Sequence, residues 1–137
     1  MKLNQPIGKP SYGPLIIRVM LGIYFFLAGY LKLEDVFAFV DIVKEQGVLS
    51  EQLAILVGIT LPYFEVVVGV LLIIGIWTTA VALVASLILA GIIFTFGIFP
   101  GETEMINKDL VLLAAAISLM FSGPGGYSID NIKSSSD

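Results

Sequence analysis

Apolar residues fill four stretches of this chain and thin out between them, at about Pro14–Leu31, Leu53–Ile76, Thr78–Phe99 and Asp109–Gly123. A segment of about 20 apolar residues crosses the ~30 Å hydrocarbon layer of a bilayer, and the first three stretches are long enough. The fourth has only 13 uncharged residues between Asp109 and Gly123, about 20 Å of helix. To span, it needs either Gly123-Pro124-Gly125-Gly126-Tyr127 to dip into the layer, or Lys108 and Asp109 to lie below the surface inside the bundle. Between the first two stretches, Glu34–Gln46 follows a helical period. Val36, Phe37, Val40 and Val43 gather on one side, with Glu34, Asp41 and Glu45 on the other, which predicts a short helix lying in the interface. Gly47 suits its stop, and Ser50-Glu51 the next start. The predicted fold is an all-α integral membrane bundle of four transmembrane helices, with one interfacial amphipathic helix between helices 1 and 2. Residues 1–13 form an N-terminal tail, 14–130 a single membrane domain and 131–137 a disordered C-terminal tail. Pro100–Glu104 reads as a loop, and Gly75–Thr79 as a tight turn carrying an interfacial Trp77.

Within these stretches small and polar residues recur at helical spacing. Arg18, Gly22, Phe25, Gly29 and Lys32 make one stripe on the first helix. Gly58, Pro62, Glu65, Gly69 and Leu72 make another on the second. Glycines permit close backbone approach, so the two stripes are predicted to face each other. On the third helix Thr79, Ala82, Ser86, Ala90, Ile93 and Gly97 make a mostly small packing stripe. Glu65 is the one charged residue between Leu53 and Phe99, and an acid at that depth calls for a partner or a task. Counted from Lys32, Arg18 lies about 21 Å in; counted from Leu53, Glu65 lies about 18 Å in. On antiparallel helices this predicts an intramembrane Arg18–Glu65 pair, with a bidentate guanidinium–carboxylate contact.

Composition narrows the chemistry. Charged residues make up 13% of the 137, against about 25% in soluble chains, and mean hydropathy is +1.01. The sequence has no Cys and no His. That excludes disulfide, thiol and thiolate-cluster chemistry within the chain and removes the usual haem, zinc and copper ligand. No metal site is expected. A net charge of −4 argues against nucleic acid, which selects basic faces. Lys2, Lys9 and Lys133 fall on the terminal side of the bundle and Lys32, Lys44 and Lys108 on the other, an even split for the positive-inside rule. The expectation is for both termini in the cytoplasm.

The Arg18 position, the Ala28-Gly29-Tyr30-Leu31-Lys32-Leu33 exit and Pro62-Tyr63-Phe64-Glu65 followed by Gly69 resemble the DoxX family. So do Lys108-Asp109-Leu110 and the ending Gly123-Pro124-Gly125-Gly126-Tyr127-Ser128-Ile129-Asp130. The resemblance spans about Leu15–Asp130. It implies a four-helix protein of the prokaryotic inner membrane, related to the membrane subunit of thiosulfate:quinone oxidoreductase and to the methylamine-utilisation membrane protein. Thiol-handling relatives use cysteines, which this chain lacks. The leading expectation is an accessory or quinone-proximal subunit of a respiratory-type membrane oxidoreductase complex. Such a subunit holds no metal or covalent cofactor, meets quinone or lipid near Glu65 and works with other membrane subunits. Lys32, Lys108 and Asp109 are candidates for the outer mouth of a cavity. Tyr63 and Phe64, with Tyr24 and Phe25, are candidates to flank a quinone ring. Plainer readings stand beside these: a structural ion pair for Arg18 and Glu65, helix capping for Asn107 and Asp109, interfacial anchoring for Lys32 and Lys108. As whole-protein alternatives there remain a membrane scaffold and a small-solute carrier.

Overall fold

The computed structural model describes residues 3–101 and 106–136. Most of the loop predicted at Pro100–Glu104 lies outside them, as do Lys2 and Asp137. All regular structure among the described residues is helical: α1 (Tyr12–Glu34), α2 (Val36–Glu45), α3 (Glu51–Ile74), α4 (Thr78–Phe96), α5 (Asp109–Ser122) and α6 (Ile129–Ser134). Three of these, α1, α3 and α4, are long and apolar enough to cross a membrane, and α5 is a shorter apolar helix.

The termini of these helices follow local chemistry. Asp35 accepts from the Ala38 N–H and starts α2, and Ser50 Oγ accepts from the Leu53 N–H and starts α3, each satisfying a donor the helix leaves orphaned. Gly75, at φ 73°, ends α3 in the left-handed region, where a residue without Cβ costs little. Trp77 also has positive φ, 49°, and its N–H donates to Asp130 Oδ1.

The α1–α3 pair is the backbone of the bundle. A Cβ placed on Gly22 would lie 2.9 Å from the Gly69 carbonyl oxygen, and one on Gly29 would lie 2.6 Å from that of Pro62. The two glycine stripes therefore face each other at near backbone contact, antiparallel. α4 and α5 pack on this pair through Val81, Ala82, Ala85 and Leu89 and through Ala116 and Leu119, against Leu21, Phe25, Val68 and Leu72. A smaller cluster joins Phe39 and Val43 of α2 to Ala54 of α3.

Three expectations change. On α4 the buried face is Thr78, Val81, Ala82, Ala85, Ser86 and Leu89, so only Ala82 and Ser86 of the small-residue stripe pack inward. On α2 the buried residues are Phe39, Val40 and Val43, while Phe37 is 78% exposed. Both helices are apolar on more than one side, which leaves hydrophobic spacing unable to choose the inner face. At the C-terminus, where disorder is predicted from residue 131, α6 continues to Ser134, opened by Ser128 Oγ accepting from the Asn131 N–H.

Candidate functional site

Charged side chains gather at opposite ends of the α1–α3 pair, and the two ends are built differently. Near the start of α1, Arg18 is fully buried and donates only to backbone carbonyls. Its Nε reaches Pro124 at 2.8 Å, Nη1 reaches Leu72 and Ile73 at 2.8 Å each, and Nη2 reaches Gly126 and Tyr127 at 3.1 Å each. Leu72 and Ile73 belong to the last turn of α3, whose carbonyls lack helical partners. The other three belong to the Gly-Pro-Gly-Gly-Tyr segment after α5. One guanidinium thus ties the C-terminal segment to the end of α3. Asp130 completes the clasp: its carboxylate accepts from the N–H groups of Trp77 and Thr78 at 2.8 Å each, and its own N–H donates to the Gly75 carbonyl. Partial burial pushes the Asp130 carboxyl up, but these N–H donors outweigh it and hold it below the usual carboxylate range. The clasp occupies every donor that Arg18 has.

The predicted Arg18–Glu65 pair does not form. Glu65 instead takes Lys32, whose Nζ donates to its two oxygens at 2.7 and 2.8 Å. The depth estimate aligned Lys32 with Leu53, yet α3 starts well beyond the end of α1, and α2 packs on that overhang, with Val40 against Gly58. True register sets Gly29 against Pro62 and Val66, and Lys32 beside Glu65. The Lys32 ammonium also lies 4.9 Å from the centre of the Phe39 ring, a cation–π distance.

A second polar contact lies beside this pair. The Tyr24 hydroxyl donates to Asp109 Oδ1 at 3.2 Å, tying α1 to the start of α5. Asp109 is 5% exposed. Asn107 builds the turn that delivers it: its Oδ1 accepts from the Asp109 N–H, and its Nδ2 donates to the Gly97 carbonyl at the end of α4. Tyr24 stands ten residues from the end of α1, about 15 Å, so Asp109 is sunk well inside the bundle. At one end of α5 Asp109 is drawn into the bundle, and after its other end the Gly-Pro-Gly-Gly-Tyr segment folds over Arg18.

A cavity of about 260 Å³ opens against this cluster. Tyr24, Lys32, Phe39, Asn107, Lys108 and Asp109 are among its lining residues. The candidate mouth residues Lys32, Lys108 and Asp109 therefore share one cavity. Lys108 is exposed on its rim. Arg18 belongs to the opposite end, and Phe25 is core. Tyr63 and Phe64, 58% and 60% exposed, stand on the outer surface of α3 and line none of the cavities described here. Phe39, the Tyr24–Asp109 contact and the Lys32–Glu65 contact are the parts of the site the sequence reading missed; the facing glycine stripes carried the signal for the last.

Neither a search of curated proteins nor one of solved structures returned a match. A family model does match, that of methylamine utilisation protein MauE, over residues 10–100. MauE is a different membrane family from DoxX, and this match overturns the DoxX resemblance. The motifs that suggested DoxX have local explanations in the fold: glycines for helix approach, an Arg clasp, a capped helix start. Such devices serve any tight membrane bundle and do not separate one family from another. The matched span takes in α1 to α4, with Arg18, Lys32 and Glu65. All-helical, multi-pass and matched over about two thirds of its length, this chain belongs to the MauE family of membrane proteins.

Proposed function

We propose that the chain is an accessory membrane protein of methylamine utilisation, acting through the polar cluster of Tyr24, Lys32, Glu65 and Asp109. One observation carries the reading. Tyr24, Lys32 and Asp109 line one cavity, Glu65 is held behind it by Lys32, and the Tyr24–Asp109 contact is a single hydrogen bond that leaves part of the carboxylate's accepting capacity unused. Buried ionisable groups in membrane helices are expensive and usually functional. The family match supplies the pathway. The sequence has neither Cys nor His, so any redox centre belongs to partner proteins, and the role here is accessory. In this reading α5 and the segment folded over Arg18 complete a fourth crossing. α2 lies in the interface, with exposed Phe37 and Ile42 facing the acyl region. The setting is a prokaryotic inner membrane, with both termini cytoplasmic.

Gene replacement in a methylamine-oxidising host tests this. Deletion should abolish growth on methylamine and spare growth on an unrelated substrate, and the wild-type gene should restore it. Glu65→Gln and Asp109→Asn, matched to wild type for abundance in the membrane, should restore it poorly. Normal growth of the deletion strain on methylamine would remove the pathway assignment. Full rescue by both variants would show that the cluster is structural and reduce the chain to a scaffold.

A further inference from the structure

Asp109 is the least compensated charge in the molecule's interior. Glu65 is matched by Lys32 at 2.7 Å. Asp109 accepts one hydrogen bond from a neutral phenol, and its Oδ2 has no side-chain partner among the described residues. Asp109 lines a cavity whose other charged residues are Lys32 and Lys108. The cavity surface therefore offers two cations and one carboxylate that needs a donor. Next to it lies a second cavity of about 230 Å³, walled by Val43, Val57, Leu61, Ile88 and Gly91 among others, with Thr95 its one polar residue. Phe39, Ile92 and Phe96 line both, so the two spaces adjoin across three side chains. Each falls below the ~300 Å³ at which ordinary ligand pockets begin, whereas together they fall within that range.

A chamber bearing charges of both signs beside an aliphatic one matches one class of molecule. We infer that the paired cavities hold a glycerophospholipid with a primary-ammonium headgroup. The ammonium donates to Asp109, the phosphate lies towards Lys32 and Lys108, and one acyl chain enters the space between α2, α3 and the C-terminal half of α4. A choline headgroup has no N–H to give Asp109, and a glycerol headgroup has no cation. A quinone ring offers only acceptors to a carboxylate that already lacks a donor. The inference rests on the proposed role of the cluster as the working site and names what occupies it.

The test is native mass spectrometry of the full-length chain in mild detergent, with phosphatidylethanolamine, phosphatidylcholine or phosphatidylglycerol added at equal concentration. The wild type should retain one phosphatidylethanolamine in preference to the other two. Asp109→Asn should lower that retention about tenfold, the worth of one charge-assisted hydrogen bond, to the level of the others. Gly91→Phe should block all three lipids. Gly91 lines the aliphatic chamber and a Cβ there meets nothing within 4 Å, so the helix has room for a side chain at this point. Equal retention of the three lipids, no retention, a co-purifying quinone in their place, or indifference to Asp109→Asn would each overturn the inference. Selective retention in a chain whose Asp109→Asn variant supports normal growth on methylamine would keep the lipid site and remove its proposed role. Growth that depends on Asp109 without selective retention would do the reverse.

Discussion

Lys32 and Glu65 form one ion pair, yet breaking it from either side should have unequal consequences. The side chain of Lys32 is 23% exposed and that of Glu65 is 2% exposed. Replacing Lys32 by Met leaves a carboxylate inside the bundle with no cation, a defect that costs about 3–5 kcal/mol. Replacing Glu65 by Gln leaves an ammonium on a flexible stem near the end of α1, which can turn towards headgroups or solvent. The amide also still accepts a hydrogen bond, so the cost should be about 1 kcal/mol. The double change Lys32→Met with Glu65→Leu removes both charges and should recover most of the loss, because a buried pair exchanged for apolar groups is often neutral in sum. For a chain of this length roughly 3 °C of Tm corresponds to 1 kcal/mol. Thermal unfolding in detergent should then fall on the order of 10 °C for Lys32→Met and a few degrees for Glu65→Gln. Two results would refute the reasoning: Glu65→Gln as damaging as Lys32→Met, or a double variant no better than the lysine variant alone.

The clasp at the other end gives two further expectations. Arg18→Met strands five carbonyls, at about 1–3 kcal/mol for each that water does not reach. Arg18→Lys keeps the charge but offers three donors without the planar fork. Hydrogen exchange over residues 123–131 should accelerate strongly in the first variant and partly in the second, and unchanged protection in Arg18→Met would dismiss the clasp. Asp130 has a folded-state pKa below its unfolded value, so its stabilisation is complete above the ordinary carboxylate pKa of about 3.9 and disappears as pH falls through the folded value. Protection of the α3–α4 turn and of α6 should hold from pH 7 to about pH 4 and drop below it, with Asp130→Asn already loose at pH 7. A wild-type profile that stays flat to pH 2 would contradict this.

The sequence carried the helices well and the pairings badly, and the difference has a physical origin. Long apolar runs, Ser50 at a cap and Gly47 at a stop are local signals, and each stands where expected. Partner choice between charges depends on register and on side-chain direction. Helical side chains lean towards the N-terminus of their own helix. Lys32 thus leans back towards the level of Gly29, which meets Pro62 and Val66, and Glu65 on the antiparallel helix leans towards Lys32. Arg18 leans the same way along α1, towards its start, and there finds the end of α3 and the segment after α5. The glycines that fix this register were visible in the sequence, but counting from helix ends ignored the overhang of α3 that α2 covers. The clasp was harder to foresee, since carbonyl acceptors leave no trace in residue identity. Tyr63 and Phe64 next to Glu65 in sequence were poor guides for a related reason: neighbours in a helix point about 100° apart, and theirs is the outer face.

Taken together, the contacts assign different work to the two ends. At the Arg18 end a full set of donors meets backbone carbonyls, and Asp130 is held by two backbone N–H groups. Backbone partners cannot leave without unfolding the segment, so such contacts fasten structure and bind little else. At the Lys32 end the partners are side chains, Lys32 with Glu65 and Tyr24 with Asp109, and the Tyr24 hydroxyl can rotate to a new partner at the cost of one hydrogen bond. A site that takes and releases a ligand needs polar groups of the second kind, pre-positioned yet not fully used. The cavity lined by Lys32 and Asp109 is at that end. The closed end fixes the helices against one another, so the acid that arrives on the short α5 is held at a set depth beside α1.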